Sequence, residues 1–152
     1  MTGRNVSNIH THLTTDPLDI PLISDFILTG IHRRDAAIVA IIDPAVTPDA
    51  VATLLERPSS EESRAIIATV TTRAMREPEI LDTPRIRRIA HGIAAEAASR
   101  NSSSLHATAA YLSWMIRDDR EAADHALTAL ALDEDSSLAA IVLTLIDRRI
   151  AR

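Results

Sequence analysis

The chain has no cysteine, no lysine and only three aromatic residues, and each shortage excludes something. Without cysteine there is no disulfide framework, no thiolate zinc site and no thiol nucleophile, a composition suited to a reducing compartment. Phe26, Tyr111 and Trp114 make up 2% of 152 residues, whereas hydrophobic residues make up 46%. The core therefore has to be aliphatic, which favours closely approaching helices over bulky sandwich packing. No apolar run approaches the length that crosses a bilayer, and the opening MTGRNVSNIHTHLTTD lacks the apolar stretch of a signal peptide. The expectation is a cytoplasmic protein with no membrane partner. A net charge of −5 gives no global attraction to nucleic acid or to anionic membranes, although a local basic patch is still compatible with it.

What is present is helical periodicity. A chain of this length buries roughly 68–70% of its unfolded surface, enough for a core without staples. Residues 1–20 are polar and read as a flexible or docked arm, and residues 21–152 read as one helical domain. Ser24 or Asp25 is placed to cap a helix carrying Phe26, Ile27, Leu28 and Ile31, with Gly30 breaking it. The run Ala36–Ile42 fits a helix, with a buried strand as the alternative. Thr47-Pro48-Asp49 supplies a cap, a proline at the first helical position and a first-turn acid. Ser59 with Glu62 fits a capping box ahead of the stripe Ile66, Ile67, Val70 and Ala74. Thr83-Pro84 repeats the cap-plus-proline device before Ile86, Ile89, Ala90, Ile93, Ala94 and Ala97. A serine of the linker Ser99–Ser104 then caps a helix from Leu105. The fold class is all-α, a single domain of about seven helices with a repeat-like hairpin over 105–139.

That hairpin is the most informative stretch. Leu105, Leu112 and Ile116 mark one face of its first helix, while Ala107, Tyr111 and Trp114 mark a second face, so the helix needs partners on two sides. Ala122, Ala123, Ala126, Leu127 and Leu130 line the next helix. Leu138, Ile141, Val142, Leu145 and Ile146 line the last, with Asp135 or Ser136 as its cap.

The spacing of Ala110, Ala122, Ala126, Ala129 and Leu130 resembles a tetratricopeptide repeat, whose small residues let two helices pack closely. Arg117-Asp118-Asp119 stands where that repeat has a turn glycine, and Glu134 where it has a proline. No second copy follows at the repeat period, so one hairpin within a helical domain is expected. Leu112-Ser113-Trp114, Arg117-Asp118, Ala122, Ala129-Leu130, Asp133 and Leu138-Ala139, with Arg34-Asp35-Ala36-Ala37 upstream, are similar to the C-terminal part of an actinobacterial domain-of-unknown-function family. The resemblance implies fold and origin and carries no activity. An all-arginine set of 16 cations suits the same GC-rich bacterial or phage origin.

Three groups of residues are candidate sites. Tyr111 and Trp114, one helical turn apart, and Ala126 are candidates for a protein-interaction surface or groove, with core packing as the alternative for the two aromatics. Arg73 and Arg76, with Arg85, Arg87 and Arg88, form a candidate basic surface for nucleic acid, although the connection Glu77–Thr83 is too long and acidic for a helix-turn-helix. His10 and His12 share a face if extended and form a candidate metal pair, with Asp16, Asp25 or His32 as third ligand. The acids Asp133-Glu134-Asp135 alternate like early calcium-loop ligands, but Leu138 and Thr144 occupy the glycine and glutamate positions, and capping explains them better. The leading expectation is a non-enzymatic interaction or assembly module that needs no cofactor and binds a protein partner or itself. A nucleic-acid-binding accessory protein is the alternative, and a metal-dependent hydrolase a weaker one.

Overall fold

A computed structural model describes the backbone of residues 3–150 and side chains from Asn8 to Arg149. The described residues form nine α-helices and one 3-10 turn, with no strand. The helices group into two compact units, the first ending at Asp82 and the second beginning at Thr83.

In the first unit, the segment read as an arm contains α1 (Gly3–Thr14), which packs against α3 (Ile31–Ile42) and α4 (Pro48–Glu56). Ile9 and Leu13 are one turn apart, and Leu13 is fully buried. The His10 ring adds a tie, donating from Nε2 to the Val46 carbonyl at 2.6 Å. Helix α2 (Ile20–Leu28) starts four or five residues ahead of the caps expected at Ser24 or Asp25. Its cap is Asp19, whose carboxylate accepts from the Leu22 amide, and Pro21 sits in the first turn, where a missing N–H costs nothing. Ser24 is instead a buried helical residue.

Every residue from Ala36 to Ile42 is buried in α3, because α1, α2, α4 and α5 (Glu61–Arg76) all pack on that helix. A helix apolar all round reads like a buried strand in sequence, which is why both were open. Thr47 caps α4 through the Ala50 amide as expected, and Ser60, one residue beyond the expected Ser59, caps α5 through the Ser63 amide. Buried Ser63 donates to the carbonyls of Thr53 and Arg57, fastening α5 to the end of α4. A 3-10 turn over Pro78–Ile80 occupies the acidic connection.

The second unit is built around α7 (Ser103–Met115), which packs against α6 (Thr83–Arg100), α8 (Asp119–Leu132) and α9 (Ser137–Ile150). From Leu105 to Met115 only Tyr111 is not buried. The two apolar faces of the sequence thus meet three helices. Ala107, Ala109 and Ala110 on α7, Ala122, Ala126 and Ala129 on α8 and Ala139 on α9 are all fully buried, so these helices meet over methyl groups. The Ser103 hydroxyl reaches across to the Ala129 carbonyl at 2.8 Å.

Both α6 and α7 end in the same way. Asn101 (φ 50°) follows α6 and Arg117 (φ 65°) follows α7, each in the left-handed region. The amide of the next residue reaches back to the helix, Ser102 to the Ala97 carbonyl and Asp118 to that of Ser113. This six-to-one bond defines the Schellman motif, which favours glycine at the left-handed residue. Ser102 then caps α7 through the Leu105 amide. Arg117, at the start of the Arg117-Asp118-Asp119 turn, holds this left-handed position with a full side chain. Left-handed backbone costs a side-chain-bearing residue about 1–2 kcal/mol, partly offset by the greater freedom of glycine in the unfolded chain. Arg117→Gly is therefore expected to stabilise the protein by about 0.5–1 kcal/mol, read as a rise in the midpoint of urea unfolding.

Candidate functional site

The C-terminal end of α7 is where the second unit concentrates its side-chain chemistry. Trp114 is 4% exposed, and Tyr111, one turn earlier, stands 5.8 Å from it ring to ring with the planes 47° apart. Arg149 of α9 lies over the indole, its guanidinium carbon 4.8 Å from the ring centroid. The same guanidinium donates to Asp119 at the start of α8 (2.6 Å) and to the Trp114 carbonyl (3.2 Å). One side chain thereby joins α9 to the beginning of α8 and to the end of α7. The Trp114 Nε1–H is buried without an acceptor. Arg149 also stands in the last turn of its own helix, where a cation complements the helix dipole. Its reach to Asp119 and Trp114 spans 30 and 35 residues, and no local pattern encodes that distance.

Of the three interaction candidates, two are interior. Trp114 packs beneath Arg149, and Ala126 is fully buried on α8 rather than lining an open groove, because its lack of bulk is what lets the helices close. Tyr111 is partly exposed. The apolar surface lies elsewhere: Leu127 is 57% exposed, Leu132 46% and Ile141 51%. Leu127 and Ile141 were expected in the buried stripes of α8 and α9. Alanine contacts bring the helices so close that each buried stripe is narrower than the apolar stripe of the sequence. An apolar residue at the stripe edge, beside a buried alanine, is the signal that distinguishes them.

The arginine candidates are divided between the units. Arg73 and Arg76 are exposed on the last turn of α5, where Arg73 pairs with Glu77 at 3.6 Å. Arg73 also borders a groove of about 330 Å³ whose walls include Ile42, Val70, Ala74 and Ile80. On α6, Arg87 and Arg88 are exposed, whereas Arg85 is only 4% exposed and is removed from any phosphate-facing surface. With Arg85 buried, the five candidates are not all open to a phosphate.

The histidine pair fails for a geometric reason. His10 and His12 lie on helix α1, where residues two apart point about 200° apart, not on a strand where they share a face. His10 is engaged by Val46, and His12 is exposed. Asp16, Asp25 and His32 are exposed too, and among the described residues no group of three His, Cys, Asp or Glu is placed to hold a metal. No helix among the described residues is long and apolar enough to cross a membrane.

Compared with known proteins, the chain matches no family model, no curated protein and no solved structure.

Proposed function

We propose that this chain is a cytoplasmic, non-enzymatic protein-interaction or assembly module of a bacterium or phage, its terminal hairpin akin to a single tetratricopeptide unit and to the actinobacterial family it resembles. One observation carries the reading: Leu127, Leu132 and Ile141 stand open on α8 and α9 while the alanines between those helices and α7 are sealed. The hairpin is thus complete inside and still apolar outside. Large aliphatic side chains on two adjacent helices, each already partly covered, offer a partner desolvation energy of about 0.7–1.5 kcal/mol each, half the value for a fully exposed side chain.

The test compares the tagged full-length protein with a Leu127→Glu/Ile141→Glu variant, by sedimentation over a range of concentrations and by capture from a bacterial lysate. The reading expects wild type either to self-associate or to enrich a discrete protein, and the variant to lose that association while keeping its helical circular dichroism. Equal behaviour of the two proteins in both assays would reject it.

A further inference from the structure

Two imidazoles from facing helices meet inside the second unit. His106, in the first turn of α7, is 8% exposed, and its ring centroid lies 6.2 Å from that of half-buried His125 on α8, with the planes 30° apart. His106 Nδ1 and His125 Nε2 are both buried, and neither has a hydrogen-bond partner. Two polar rings in contact across a helix pair, each with an unused nitrogen, cost stability that an apolar pair would not.

The surrounding charges do little to compensate a proton arriving at His106. On α8, Glu121 Oε2 stands 3.2 Å from His125 Nε2 without hydrogen-bond geometry, and Asp124 is exposed. On α6, Glu96 and Arg100 in the closing turns are paired with one another at 2.9 Å, and His91 is exposed. On α9, residues 137–146 carry no titratable side chain. Asp147 and Arg148 follow in its closing turns, where Arg149 is bound to Asp119 and to the carbonyl of Trp114, about 12 Å along α7 from His106.

We propose that the contact of His106 with His125 is an acid-sensitive latch between α7 and α8, closed while His106 is neutral and loosened when it takes up a proton. The latch is a property of the hairpin and stands whether or not the hairpin binds a partner. Burial, and after it the neighbouring His125, holds the His106 pKa below its ordinary value of 6.5. The sign follows from proton linkage. Below about 6.5 the unfolded chain takes up a proton at His106 that the folded chain resists, so the contribution to stability is fully present above that pH. It is lost as the pH falls from there through the lower folded-state pKa.

The test uses the full-length chain and two variants, His106→Gln and His125→Gln, whose melting temperatures are measured by circular dichroism at pH 7.5 and 5.5. The fall in melting temperature on acidification is expected to be about 3–5 °C larger in wild type than in His106→Gln, with His125→Gln between them because burial, the larger cause, persists at His106. Equal falls in all three proteins overturn the proposal. In parallel, histidine C–H resonances are titrated in wild type, with His106 assigned by its absence in the His106→Gln spectrum. A midpoint below 6.5 supports the latch, and one at or above 6.5 overturns it. Should His106→Gln fail to fold, the shift of one resonance in His125→Gln serves instead. Removing His125 is expected to raise the His106 midpoint, and a full set of unmoved midpoints overturns the proposal.

Discussion

Replacing Trp114 with alanine is expected to destabilise the protein by about 3–5 kcal/mol, the usual loss for emptying a large aromatic site in a core that cannot collapse around it. The indole is 4% exposed. Its removal deletes the largest side chain of α7 and leaves the Arg149 guanidinium without the ring beneath it. Two circumstances set the size of the effect. The neighbouring positions on α7 and α8 are mostly small, so little side-chain volume is available to refill the space. Against this, the indole N–H has no acceptor, and deleting it relieves an unsatisfied group worth about 1–3 kcal/mol, which keeps the net loss from exceeding the range. Because Trp114 is the only tryptophan, the comparison is made by far-ultraviolet circular dichroism in urea. A midpoint unchanged by the substitution would place the indole outside the core.

Ala126→Glu is expected to be at least as damaging, about 3–5 kcal/mol, for an electrostatic rather than a volume reason. Ala126 has no exposed surface, and its helix packs against both α7 and α9. A carboxylate introduced there must lose its hydration without a cation to replace it, take up a proton, or force the helices apart. The same substitution one residue along, Leu127→Glu, falls on a side chain that is 57% exposed and is expected to change stability by no more than about 0.5 kcal/mol. The contrast between adjacent positions, read from urea midpoints, separates the sealed face of α8 from its open face. Similar losses at both positions would mean that α8 is covered on the Leu127 side as well.

The helices were legible in the sequence wherever capping chemistry and periodicity agreed. Thr47-Pro48 launches α4, and Ser102 caps α7 within the serine-rich linker. Ser136 caps α9 through the Ala139 amide. Legibility failed where tertiary contact decided the outcome. The α1 segment has few apolar residues, and its helix shows only once Leu13 and His10 are seen engaging the rest of the first unit. Histidines placed two apart suggested a metal pair only on the assumption of extended backbone, and helix geometry separates them. The apolar residues that stand exposed on the hairpin were not legible as exposed. Alanine spacing marked the hairpin, but it marked the contacts inside it. The exposed residues Leu127 and Ile141 belong to the same apolar stripes, and only the closeness of the helices determines which of them are left outside. Arg149 and the His106–His125 pair depend on contacts between separate helices, which periodicity within one helix does not encode.

The most direct test of this arrangement uses the single tryptophan as its own reporter. If α7 is the centre of the second unit and the working surface lies outside it, native Trp114 should emit as a buried indole and resist quenching by iodide. Both properties should then be lost together in the cooperative urea transition. An indole already quenched by iodide in the native protein, with emission unchanged on unfolding, would contradict the account and return Trp114 to the surface.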